Sequence, residues 1–229
     1  LKQKDAVGAN ELIADTLEHY PQQRELLALL AASEAIRYDE QATAAALQRF
    51  DETAPGSPLA LFTVGSYLSY ARQYEAAEQA LRKAIEREPN WPAPRLILGM
   101  MLMDAAKTDE AQLELGHAVR LDPFDLRANN QFKLAEEIAG YAIERTEHFI
   151  IRYRPGIDQV LARDMADQLE GLYTEVTRAF QHKPRRTTMI ELLPDSRRYS
   201  VRIAGVPDIW ALAATTGDVI AMSPPRPGA

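Results

Sequence analysis

Four histidines are the first residues to examine for chemistry, because imidazole is both a common metal ligand and a general base near neutral pH. They stand at His19, His117, His148 and His182. No two are four residues apart, the spacing that lets two imidazoles on one helix face grip a zinc ion. No metal and no cofactor is therefore expected, and each histidine reads as a surface residue. His148 has Glu147 beside it, but neighbours in a strand point to opposite faces. Cysteine is absent, which removes disulfides and thiolate metal sites and leaves the redox compartment open. The sequence contains no glycine-rich phosphate loop and no Gly-x-Ser-x-Gly nucleophile turn. Carboxylate pairs occur on many segments without a catalytic pattern. Lys183, Arg185, Arg186, Arg197, Arg198 and Arg202 form a basic stretch. Sparse aromatics make it a solvated face, or a set of internal ion pairs, in preference to a nucleic-acid patch. Trp91 and Trp210 read as packing residues. The chain as given is not expected to be an enzyme.

The elements that position these residues start from bulk properties. The chain has 229 residues, of which 46% are apolar and 26% charged, the composition of a folded globular protein. The net charge of -7 is uneven. Residues 1–141 hold 14 Lys and Arg against 22 Asp and Glu, and residues 142–229 hold 12 against 11. An acidic helical part repels phosphate, so nucleic acid is not expected as a partner. No apolar run approaches the roughly 20 residues that span a bilayer.

A 34-residue period organises the first part. Pro21, Pro55, Pro89 and Pro123 stand 34 apart. Gly65 returns as Gly99, Ala77 as Ala111 and Ala84 as Ala118, while Leu47 returns as Leu81 and Leu115. Small residues at matched positions let paired helices approach closely, large leucines fill the gaps between them, and prolines stop the second helix of each pair. A generic bundle with coincidental prolines is the alternative, and three registers agreeing independently argue against it. This pattern resembles the tetratricopeptide repeat (TPR) family. The implied fold class is mainly α, a TPR α-solenoid of helix-turn-helix units, followed by a small partial α/β domain. The array covers 1–143: a half repeat at 5–20, units at 24–57, 58–91 and 92–125, and a capping helix at 124–143 whose Asn129-Asn130-Gln131 suits a water-facing end. The unit at 24–57 is degenerate, with Thr43 and Phe50 at positions that favour alanine. Tyr74-Glu75 and Thr108-Asp109 are expected in the turns within units.

The resemblance implies a concave face lined by the first helices of successive units. In this sequence that names Leu59, Phe62, Ser66, Ser69 and Tyr70, then Ala93, Leu96, Met100, Met103 and Asp104, and Glu25, Ala28, Ala32, Ala35 and Ile36 in the degenerate unit. No Lys, Arg or Asn stands among them, so a clamp for a terminal carboxylate is absent. An apolar groove with two adaptable methionines suits an apolar helix or an extended protein segment. The competing expectation is that the chain's own C-terminal part covers the groove.

The pattern changes near Thr146. His148 to Tyr153 reads as a strand with Phe149, Ile151 and Tyr153 on one face. Residues 158–180 read as a helix striped by Leu161, Met165, Leu169, Leu172, Val176 and Phe180. A strand at 187–193, a helix capped by Asp195 through Ile203, and a hairpin of Ala211–Thr215 with Val219–Met222 follow, and Pro224, Pro225 and Pro227 end the order. The stretches Phe149-Ile150-Ile151-Arg152-Tyr153, Met165-Ala166-Asp167-Gln168-Leu169-Glu170, Ile190-Glu191-Leu192 and Gly217-Asp218-Val219-Ile220 are similar to the opening of gluzincin-like (clan MA) HExxH metallopeptidase domains. The resemblance covers 145–229; since no HExxH occurs here, it implies either a zinc-binding HExxH beyond Ala229, which is the favoured expectation, or a domain that is a non-catalytic relic. With Leu1 at its start, the chain is expected to be part of a longer protein.

Two functions compete at this stage. One is a protein-interaction scaffold with an apolar concave groove. The other is the substrate-recruiting front of a zinc peptidase, with zinc only in the parent. A purely organising role, with the repeats docked on the second domain, is a third. A cytoplasmic and a bacterial extracytoplasmic location both stay open.

Overall fold

Proline sets the rhythm of the helical part. The computed structural model describes residues 5–184, 186–207 and 213–224. Arg185, Trp210, residues 211–212 of the expected hairpin, Pro225 and Pro227 lie outside them. Helices α1 (Ala6–His19), α3 (Glu40–Thr53), α5 (Tyr74–Arg87) and α7 (Thr108–Leu121) each end one residue before a residue that precedes proline. Those residues are Tyr20, Ala54, Glu88 and Asp122, with φ between -128° and -139° and ψ between 68° and 89°. Proline's Cδ excludes helical geometry from the residue before it. Each still donates its N–H one turn back, to Thr16, Phe50, Ala84 and Ala118 O. Pro89 and Pro123 themselves face water, so they act through the backbone and not by filling a core.

A second mark with the same period lies inside each hairpin. After α2 (Arg24–Ile36), α4 (Leu59–Tyr70) and α6 (Pro92–Asp104) come Tyr38, Arg72 and Ala106, 34 residues apart, with φ of 61° to 62°. Each next N–H reaches back five residues, from Asp39 to Glu34 O, Gln73 to Leu68 O and Lys107 to Leu102 O. This is the left-handed helix stop usually made by glycine. Tyr74-Glu75 and Thr108-Asp109, expected in these turns, instead open α5 and α7. The left-handed residue had already reversed the chain.

The chain divides into two compact units, Leu1–Met101 and Leu102–Ala229, so the division falls inside α6 and not near residue 143. In the first unit α1 packs on α2, α2 on α3 and α4, and α4 on α5. Ile13, Leu17, Leu27, Phe50 and Ala60 form its buried centre. Gly65 and Leu81 show why the glycine is needed. A Cβ on Gly65 would sit 2.6 Å from Leu81 Cγ and 3.1 Å from the Leu81 backbone nitrogen. Ala77, Leu81 and Ala84 are fully buried, as are Ala111, Leu115 and Ala118 in the second unit, and Gly99 is buried too. Successive units are also tied by polar groups. Arg87 grips Asp51 with two bonds of 2.6 and 2.8 Å, and Gln73 Nε2 donates to Ile36 O at 3.1 Å.

In the second unit α7 packs on α8 (Leu126–Ala139), and α8 packs on α10 (Ser196–Ala204). Two expectations change here. The capping helix stops at Gly140, and Ala142–Arg145 forms strand β1, because ladder bonds to residues 150–153 replace further helical turns. The polar stretch of α8 also does not face water. Gln131 is 1% exposed and donates to Val201 O at 2.8 Å, and Asn130 donates to Gly205 O. Gln131 thus adds to the Val201 carbonyl, which also accepts the Gly205 N–H, and Asn130 serves the Gly205 carbonyl just past the end of α10.

Strands β1, β2 (Phe149–Tyr153), β3 (Thr188–Leu192), β4 (Ala213–Thr216) and β5 (Val219–Met222) make one sheet in the order β1-β2-β3-β5-β4. β2, β3 and β5 run parallel, and the two edges are antiparallel. Helix α9 (Asp158–Phe180) crosses from β2 to β3 and covers one sheet face. Phe149, Ile151, Tyr153, Ile190 and Leu192 meet it together with Leu161, Met165 and Leu169. Among the described residues no helix is long and apolar enough to cross a membrane. The fold is thus mainly α, TPR-type helical repeats followed by a small α/β sheet.

Two substitutions test the repeat geometry in urea denaturation. Gly65→Ala normally favours a helix by roughly 0.5–1 kcal/mol. Here the contact with Leu81 is expected to reverse the sign, to a loss of about 1–3 kcal/mol. Ala106→Gly relieves a left-handed alanine and is expected to gain about 1 kcal/mol.

Candidate functional site

The positions expected to line the groove divide by environment. On α4, Phe62, Ser66 and Tyr70 stand four residues apart and so share one helix face. Phe62 and Ser66 are half-buried and Tyr70 is 71% exposed. The Phe62 ring packs on Trp91 at a centroid distance of 4.6 Å, tilted 59°, which fits Trp91 as a packing residue. Ser66 Oγ is buried and has no hydrogen-bond partner among the described residues. Leu59 leans on the buried centre of the first unit. On α6, Met100 is half-buried and Leu96 is 8% exposed.

Met103 and Asp104, the last two expected groove positions, are taken by the chain itself. Met103 is 1% exposed. Its carbonyl accepts from Arg202 Nη2 at 2.9 Å, and Asp104 Oδ1 accepts from Arg202 Nη1 at 2.9 Å. The Asp218 N–H also reaches Asp104 O. At these two positions the neighbours are Arg202 of α10 and the backbone of Asp218.

Strand parity explains the arrangement. Arg152 and Glu191 lie on the sheet face opposite α9 and are register partners across β2 and β3. Glu191, 1% exposed, accepts Arg202 Nε at 2.7 Å and Arg152 Nη1 at 3.4 Å. Arg152 Nη1 also donates to Thr108 Oγ1 at 2.6 Å. Two cations and two carboxylates thus close a neutral buried network around Glu191. Burial opposes the Arg202 charge, but Glu191 and Asp104 outweigh it and raise its pKa. Burial lowers that of Arg152. Guanidinium groups hold their protons at any ordinary pH, and Glu191 is sealed from solvent, so the network fastens elements and does no proton chemistry. Three of the six residues of the basic stretch, Arg186, Arg198 and Arg202, engage in such pairs. Arg198 bonds Glu137 at 2.7 Å and also Asp195, and Arg186 meets Asp218 at 3.2 Å.

His148 departs from its expected surface role. Its Nδ1 lies 2.6 Å from Glu170 Oε2, and its backbone N–H donates to Glu170 Oε1 at 2.8 Å. Its ring stacks on Tyr173 at 3.7 Å, and Phe149 meets Tyr173 edge-on. Thr146 and then His148 hold the Glu170 carboxyl down to about 2. Glu170 sits on α9, 22 residues from His148, which hides the pair from local motif reading. His19, His117 and His182 are exposed. Among the described residues no three His, Asp or Glu side chains are placed to hold a metal ion.

Two measurements test these pairs. Glu191→Gln leaves two buried arginines with one carboxylate and is expected to cost about 3–5 kcal/mol in denaturant unfolding. Glu170 has a folded-state pKa below the ordinary value of about 4.3. Its contribution to stability is complete above that value and fades as pH falls toward 2. The stability difference between the parent chain and Glu170→Gln, followed from pH 6 to pH 2.5, is expected to shrink below about pH 4.3.

Comparison with known proteins adds a fold likeness only. No protein-family model matches the chain, and no curated protein matches it. Among solved structures, a crystal structure of MamA is 22% identical with a TM-score of 0.45, covering 60% of this chain and 81% of that chain. A second MamA structure is 22% identical with a TM-score of 0.43, covering 59% and 74%. At that distance nothing about activity or partners carries over to this chain.

Proposed function

We propose that the chain is a protein-interaction scaffold whose repeats (1–143) receive a protein segment, with residues 145–229 in an accessory role. The supporting observation is the stripe on α4. Phe62 offers a half-open ring backed by Trp91, and Tyr70 stands in solvent one face-length further on. A protein segment laid across the stripe would cover Phe62, Tyr70 and Met100 with its apolar side chains. Leu59, Leu96, Met103 and Asp104 leave the binding set, because the chain already covers or uses them.

A sheet with a parallel centre and antiparallel edges is shared by many unrelated chemistries, so its presence adds nothing to the peptidase resemblance. The test is an array of apolar extended peptides probed with the whole chain. Phe62→Ser is expected to weaken the bound peptides at least tenfold while the far-ultraviolet circular dichroism stays unchanged, and Met100→Ser to weaken them less. Binding that ignores both substitutions would end this reading.

A further inference from the structure

Helix α10 lies along α8 in the opposite direction: Arg198 reaches Glu137, Val201 meets Gln131, and Gly205 meets Asn130. Between the two helices runs a groove of about 250 Å³. Its floor is made by the buried Leu134 and Val201, and its walls carry Lys133, Arg197 and Arg198. The acids in the wall are already engaged, because Arg198 holds Glu137 and also Asp195 beside it. Glu136, one turn beyond Lys133 on α8, is exposed and does not line the groove. The side chains of Lys133 and Arg197 are exposed and have no hydrogen bond or ion pair among the described residues. The groove therefore presents two cations that no acid in its wall neutralises. Its other end is apolar. Leu126, seven residues before Lys133 and so on the same side of α8, is 76% exposed, and Val206, just past α10, is 44% exposed.

Helix α1 carries the complementary pattern. Ile13 and Leu17 hold it to the buried centre of the first unit. On its other side stand Glu11, Asp15 and Glu18, four and then three residues apart. Their carboxylates are exposed and have no partner among the described residues. Val7 and Leu12 flank them, 58% and 68% exposed. An exposed apolar residue thus precedes the charges on both helices, by about 10 Å from Leu126 to Lys133 and by about 6–12 Å from Val7 to Glu11 and Asp15. The acid row also narrows the choice of partner surface. A second α1 would set acid against acid, and a further repeat helix would need an apolar contact where the acids stand.

We propose that copies of this chain associate head to tail, with the acidic side of α1 in one copy seated on the α8–α10 groove of the next. Glu11 and Asp15 would meet Lys133 and Arg197, and Val7 would lie against Leu126. A contact between two different surfaces leaves one of each free, so assembly continues beyond a dimer unless a ring closes. The contact makes no use of the α4 stripe and so goes beyond the scaffold reading. Sedimentation velocity on the whole chain tests it. At about 20 mM salt the weight-average sedimentation coefficient is expected to climb with protein concentration, and at about 500 mM salt to stay at the monomer value, because exposed charges are screened. Glu11→Lys with Asp15→Lys, or Lys133→Glu with Arg197→Glu, is expected to weaken association at least tenfold with unchanged circular dichroism. A chain carrying all four substitutions is expected to regain association, which damage to the fold could not bring about. Phe62→Ser is expected to leave association intact. A chain that stays monomeric at low salt, association that survives either pair, or no recovery in the fourfold variant would overturn the proposal. So would loss of association in Phe62→Ser, since the contact would then run through the α4 stripe.

Discussion

Two helices of a repeat lie close where the side chain between them is small or missing, and between α4 and α5 that place is Gly65 against Leu81. The leucine Cγ occupies the space that any β-carbon at position 65 would need. Ala77 and Ala84, one helical turn to either side of Leu81, are buried for the same reason. Close packing of this kind leaves little freedom in how α4 sits on α5, and so fixes which face of α4 remains available. The stripe of Phe62, Ser66 and Tyr70 follows from that constraint, because these residues lie away from the Gly65 contact.

The second unit obeys a different rule with a similar outcome. Alternation along β2 and β3 sends the aromatic and branched residues to α9 and sends Arg152 and Glu191 to the other face. There they meet Arg202 from α10 and Asp104 from the end of α6. A buried network with balanced charge adds little to stability compared with an apolar core, but it tolerates few alternative arrangements. It fastens the α6–α7 turn, α10 and the sheet in one register, using the Met103 carbonyl and an Asp104 carboxylate oxygen.

Much of the fold was legible because it repeats. Prolines, glycines and alanines in fixed phase announced the hairpins, alternation announced the strands, and apolar residues three and four apart announced the stripe on α9. What stayed hidden was set by contacts between distant residues. Strand β1 is drawn from Ala142–Arg145, whose residue types suit a helix equally well, and only the partner strand decides between them. Asn130 and Gln131 look like a solvated end until α10 presents its carbonyls. Tyr38, Arg72 and Ala106 are ordinary residues in a glycine-like geometry, which no local rule predicts.

Nesting of the paired helices through Gly65 is the claim on which the repeat architecture rests, and a double-mutant cycle between Gly65→Ala and Leu81→Ala examines it most directly. The contact predicts strong coupling. Alanine at position 65 should be costly beside leucine and neutral or favourable once Leu81 is truncated, giving a coupling energy of about 1–3 kcal/mol in urea unfolding. Additive effects, with Gly65→Ala equally harmful in both backgrounds or harmless in both, would contradict the account.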